Sequence, residues 1–194
     1  DSDDTTSSST STSKDSTRTL AVIESDAKSV EKSVAALQET GDKSLFNEVT
    51  KTDENGNKTT GYDTDAIYKA VKNFTDSYNS LIDEVGNSNT KSILRAGASM
   101  VNVTEANRKS LSDIGISIGE DNNLTIDEEK FKKADMSKVK AMFADSSYYG
   151  TEVKRQAGRA ESYAKSEAAK ANTYQKSGSY TYNYRTGELY NSTI

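Results

Sequence analysis

Leu20, Ile23, Ala27, Val30, Val34 and Leu37 recur at alternating steps of three and four residues. That is the heptad spacing of a helix with one slender apolar stripe. Ser and Lys fill its outer face. The spacing predicts a helix over residues 19–40, with Gly41 just past its end, where a left-handed residue commonly stops a helix. So narrow a stripe cannot keep a helix folded by itself, so it requires a partner. One is supplied near the other end of the chain. Val153, Ala157, Ala160, Ala164, Ala168 or Glu167, Ala171 and Tyr174 line one side of a helix expected from about Thr151 to Gln175. Small residues let a partner helix approach closely. The two seams are of similar length and bracket everything between them. The expected fold class is therefore mainly α (α+β), an antiparallel helical bundle or coiled coil. Pairing within the chain is preferred to an oligomer interface, because short connections favour local partners.

Between the seams, Leu45, Phe46 and Val49 form a short apolar patch. The polar run 50–63 centres on Asn55-Gly56, which suggests a small hairpin. Thr64 or Asp63 caps a second helix whose face is Ile67, Val71, Phe74, Tyr78, Leu81, Ile82 and Val85, with Gly86 as its stop. Asn87 to Thr90 read as a loop. A third helix is expected over Ser92 to about Arg108, with Leu94, Ala98 and Val101 inward and Ile93 and Met100 beside them. Gly97 and the run Val101-Asn102-Val103-Thr104 lower its helix propensity.

Residues 111–143 follow. Ile114, Ile116 and Ile118 alternate with small or polar residues, as do Leu124 and Ile126, on either side of the turn-forming run Gly119-Glu120-Asp121-Asn122-Asn123. This predicts a β-hairpin at about 114–126. Asp127 is placed to cap a short helix bearing Phe131 and Ala134. Ser137 is placed to cap a second one bearing Val139, Met142 and Phe143. Asp145 to Gly150, with Tyr148 and Tyr149, reads as a loop.

The domain reading is a Ser/Thr-rich linker at 1–18 expected to be disordered, a helical bundle domain at 19–176, and a Tyr-rich tail at 177–194. In that tail Tyr180, Tyr182 and Tyr184 alternate, either as a strand packing its rings or as an exposed aromatic ladder. The sequence begins at Asp1 rather than Met, so anything upstream is out of view.

Composition excludes several chemistries. The chain has no Cys, His, Pro or Trp, so neither thiol nor imidazole can serve as nucleophile, base or metal ligand. Net charge is −5 with no basic cluster, which argues against nucleic acid as a partner. No apolar run approaches the ~20 residues of a membrane span. Asp127-Glu128-Glu129 and Glu120-Asp121 are read as helix capping and turn solvation rather than a catalytic pair. Asp53-x-Asn55-x-Asn57 and Asp121-x-Asn123-x-Thr125-x-Asp127 have calcium-loop spacing. In the second, Ile126 stands where Gly is needed and Lys132 where Glu is needed; the first has too few acids. No catalytic, cofactor-binding or metal-binding residue is assigned, and no cofactor.

The ordered pieces Leu111-x-x-Ile114-Gly115-Ile116, Leu124-x-x-Asp127-Glu128, Phe131-x-x-Ala134 and Val139-x-x-x-Phe143, preceded by Phe74-x-x-x-Tyr78-Asn79-x-Leu81-Ile82, resemble the C-terminal region of the flagellar hook-associated protein 2 family, the filament cap. The resemblance covers residues 66–145 and is to a shortened, divergent form. That family carries large β-rich domains between its terminal helices, where this chain has only residues 41–63. It also ends in a long coiled-coil helix, where this chain has a Tyr-rich tail. The resemblance implies a non-enzymatic structural protein of a secreted bacterial assembly, promoting flagellin assembly. It implies an extracellular location on the flagellum or cell surface, and flagellin or other appendage subunits as partners, with homo-oligomerisation left open. It also implies that Leu111, Ile114, Ile116, Leu124, Phe131, Val139 and Phe143 build the domain rather than touch a partner. The alternative is a secreted or cell-surface interaction or adhesion module without a flagellar role.

Overall fold

The structure, a computed structural model, describes residues 13–171. Helix α1 spans Thr17–Leu37, capped by Ser16, whose hydroxyl accepts from the Thr19 amide. Its six seam residues are all buried, at 1% exposure or less. A 3-10 turn at Gly41–Lys43 follows, with Gly41 at φ +63°. Strands β1 (Glu48–Thr52) and β2 (Lys58–Tyr62) pair antiparallel, with Thr50 opposite Thr60. Helix α2 (Thr64–Gly86) is capped by Asp63, and Ile82 of its expected face is only half-buried.

Helix α3 (Lys91–Ala106) turns a different face inward from the one expected. Ile93, Ala96, Gly97, Met100, Val103 and Thr104 are buried, while Leu94 is 38% exposed. The reason is Gly97. A Cβ at this position would lie 2.5 Å from Val85 Cγ1, so the missing side chain is what lets α3 close on α2. Helix α4 (Arg108–Asp113) then leads to the second hairpin, β3 (Ile116–Ile118) with β4 (Leu124–Ile126), Ile116 opposite Ile126. Ile114 does not belong to the strand. It ends α4, and Gly115 at φ +85° makes the turn into β3.

Helix α5 (Glu128–Lys133) is capped by Asp127, and α6 (Met136–Phe143) by Asp135 rather than Ser137. The Asp135 carboxylate accepts from both the amide and the hydroxyl of Ser137, which satisfies a free helix-start donor and sets the cap two residues earlier than expected. Helix α7 is described over Tyr148–Ala171, so Tyr148 and Tyr149 lie in a helix and not in a loop. The expected tail at 177–194 and most of the N-terminal linker lie outside the described residues.

Helix α7 packs against α1 and α3, and α1 also packs against α2. Direction follows from three crossings. Gln38 Nε2 donates to Thr151 Oγ1 at 3.1 Å, Gly158 faces Glu31, and Lys28 lies 3.8 Å from Glu161. The α1 numbers fall as the α7 numbers rise, so the two seams run antiparallel. Val153, Ala157, Ala160 and Ala164 are buried against this partner.

Candidate functional site

The centre of the fold is aromatic. Phe74 of α2 lies 5.2 Å from Phe143 of α6 and 6.1 Å from Tyr149 of α7, both edge-on, the favoured ring geometry. The Thr104 hydroxyl sits between two phenols. It shares a 3.1 Å hydrogen bond with Tyr149, and Tyr78 is left without a well-directed one. Burial, partly offset by Thr104, pushes the Tyr78 hydroxyl up to about 12, and burial likewise raises Tyr149. Both stay neutral at physiological pH.

Asn79 ties the β3–β4 hairpin to α2. Its side-chain amide donates to the Leu124 carbonyl at 2.8 Å and accepts from the Leu124 amide at 2.7 Å. One side chain thus takes the place of a neighbouring strand. Gly115 lies so close to α5 that a Cβ would sit 2.9 Å from the Phe131 amide. Lys132 bridges Asp65 at 2.8 Å and Glu128 at 2.6 Å over the Tyr68 ring, and these carboxylates hold its ammonium well above the usual lysine range.

The carboxylates singled out in the sequence are spent locally. Asp127 accepts from the Lys130 amide, Glu128 and Glu129 pair with lysines one turn on, and Asp121 accepts from the Asn123 amide. Asp53 accepts from Asn55 and Asn57, and those hydrogen bonds hold its carboxyl below the usual range. Asp127 and Glu129 line a shallow cleft of about 440 Å³ with Asp113, where Lys130 and Lys133 stand among them. Among the described residues no group of three or more acidic side chains could hold a metal ion.

Asp15, inside the stretch read as linker, is buried. Its carboxylate accepts from Ser88, from Asn89 and from Thr90, fixing the start of α1 to the α2–α3 loop. Burial raises its pKa, but the four hydrogen bonds outweigh this and hold it below the ordinary value. A lone Asp in a Ser/Thr run carries no sequence signal for this role.

Leu111, Ile114, Ile116, Leu124, Phe131, Val139 and Phe143 are all buried, none above 4% exposure. They build the domain and are not available to a partner. Among the described residues, the large apolar side chains that do face solvent are Val49 on β1, Leu94 on α3, and Tyr148 and Tyr163 on α7. Every residue of β1 is exposed. No helix among the described residues is long and apolar enough to cross a membrane.

The family model for the flagellar hook-associated protein 2 C-terminus matches residues 87–193. This chain belongs to that family. The match begins just after α2 and takes in α3 to α7, so it overlaps the motif-bearing stretch 87–145 and extends beyond it. No curated protein matches the chain, and no solved structure does. The family is one of flagellar structural proteins, which gives this domain a cap-like structural role.

Proposed function

We propose that this protein is a non-enzymatic part of a bacterial flagellar cap, working outside the cell at the filament tip, where it promotes the addition of flagellin. The observation that supports this most is the family match over α3 to α7. The geometry is consistent with it. The motif residues are consumed in the core, and the surface offers the exposed strand β1 and isolated apolar side chains. Such a surface suits repeated, reversible contact with protein subunits.

The test is genetic and biochemical together. A strain lacking the gene should shed unassembled flagellin into the medium and form short filaments, and the purified chain should capture flagellin from the same cell. Normal filaments in the deletion strain together with no capture of flagellin would remove the proposal.

A further inference from the structure

The tip of the β1–β2 hairpin carries Asn55 followed by Gly56, and no other Asn in the sequence precedes a Gly. Both residues are exposed. Gly56 stands at φ +83°, and a Cβ built on it would meet nothing within 4 Å, so no side chain crowds that part of the turn. Asp53 organises the tip. Its carboxylate accepts from the Asn55 amide at 2.9 Å, from the Asn57 amide at 2.8 Å and from the Asn57 side-chain amide at 2.9 Å. Its carbonyl accepts from the Gly56 amide at 3.0 Å, and its own amide donates to the Asn57 carbonyl at 2.9 Å. Asn57 is thus held by its side chain, whereas the Asn55 carboxamide makes no hydrogen bond among the described residues.

We infer that Asn55 is a site of spontaneous deamidation, and that Asp53 sets its pace by holding the turn closed. The Gly56 nitrogen forms a bond to Asn55 Cγ, and the Cγ–Nδ2 bond breaks. Ammonia departs with the proton that the Gly56 amide gives up, which leaves a cyclic succinimide. Water then adds to one of the two ring carbonyls. Breaking the bond from Cγ to nitrogen restores the main chain with an aspartyl side chain. Breaking the main-chain bond instead routes the backbone through Cγ, as isoaspartate. No oxidant or reductant takes part, and water is the only co-reactant. A following Gly permits ring closure most readily, because it has no Cβ to hinder it. The folded turn opposes the first step, since the Gly56 amide is bonded to the Asp53 carbonyl. That bond must open first, and a two-stranded hairpin opens more easily than a helical core. The product sets a new carboxylate beside Asp53 and Glu54. Repulsion among these charges, and in isoaspartate the extra backbone carbon, work against the closed tip. The exposed strand β1 then loses its register with β2 as the chain ages. This inference does not depend on capping.

The test is peptide mapping by mass spectrometry of the full chain, kept folded in mildly alkaline buffer. Cleavage after Lys51 and Lys58 releases residues 52–58, which contain both Asn55 and Asn57. This peptide should gain the mass of NH replaced by O, and its fragments should assign the change to Asn55, with isoaspartate as the larger product. In heavy-oxygen water the product should carry one labelled oxygen. Asn55→Gln should abolish the mass change in this peptide. Asp53→Ala should speed the reaction severalfold and speed hydrogen exchange of the Gly56 amide by a similar factor. The thermal midpoint of the helical domain should not move, because the tip is exposed. Asn55 left intact over weeks, conversion of Asn57 as fast as that of Asn55, or an Asp53→Ala rate equal to the parent's would each overturn the inference.

Discussion

Glu31 on α1 faces Glu161 on α7, and Gly158 lies beside the Glu31 carboxylate. Burial and the neighbouring Glu161 carboxylate raise the Glu31 pKa, with Lys154 and Lys165 opposing. Lys165 bonds Glu161, and that contact, aided by Lys28, keeps Glu161 ionised. Glu31 is thus the member that takes the proton. Asp26 is raised in the same way, by burial and by Glu84 on α2. The folded state therefore binds protons more readily at these two groups than the unfolded chain does. Stability should rise as pH falls from neutral toward the ordinary carboxylate values of 3.8 and 4.5. Below that range it should fall again, because Asp15, Glu152 and Glu161 have lowered pKa values and their contribution is lost on protonation. Urea midpoints across this range should show the rise. Glu31→Gln should raise the unfolding free energy at pH 8 by about 0.5 kcal/mol, the scale of a partly exposed charge pair, and should blunt the rise. A second prediction concerns Gly97. Gly97→Ala should cost about 1–3 kcal/mol in chemical unfolding by driving a methyl into Val85. Gly86→Ala, which meets nothing within 4 Å, should be neutral or gain about 0.5 kcal/mol. Gly97 could be read from the sequence only as a helix weakness. Its purpose depends on Val85, which sits on another helix and leaves no mark on the local pattern.

The elements divide into those that periodicity specifies and those that packing specifies. Every residue of the Leu20–Leu37 stripe is buried, because the other apolar residues of the helix, Ala21, Val22, Ala35 and Ala36, are too few and too small to turn another face inward. Val30 is 0% exposed within it. Val30→Asp should therefore cost about 3–5 kcal/mol, the price of an unpaired charge in a core, read as loss of most of the cooperative thermal transition. Helix α3 is the opposite case. Its buried face is built partly from Ala96, Gly97 and Thr104, which carry little hydrophobic signal, so Leu94 and Val101 dominate the pattern and point the wrong way. The β3–β4 hairpin was legible from its alternation and its Gly/Asn turn. Its attachment was not, since Asn79 reaches the Leu124 backbone across a long stretch of chain. Asn79→Ala should cost about 2 kcal/mol by leaving both Leu124 backbone groups unpaired. Hydrogen exchange should show the amides of 116–126 losing protection before those of α1.

At the scale of the whole molecule, the family match and the folding unit do not coincide. The matched region begins at residue 87, yet Val153, Ala157, Ala160 and Ala164 pack in the seam with α1 and Phe143 and Tyr149 pack on Phe74 of α2. Helices α1 and α2 lie N-terminal to the match and supply the other half of the same core. The sequence carried this in outline, because two slender stripes far apart in the chain have no stable arrangement except against each other. The candidate functional surface was far less legible, since exposed side chains such as Val49, Leu94 and Tyr163 obey no period. The account stands or falls on α1 and α2 completing the core of the matched region. The most direct measurement is circular dichroism on heating of residues 87–194 alone, and again after mixing with residues 13–86. The account predicts no cooperative transition for the isolated piece and a cooperative one restored in the mixture. A native-like cooperative transition for residues 87–194 alone, unchanged by the added piece, would contradict it.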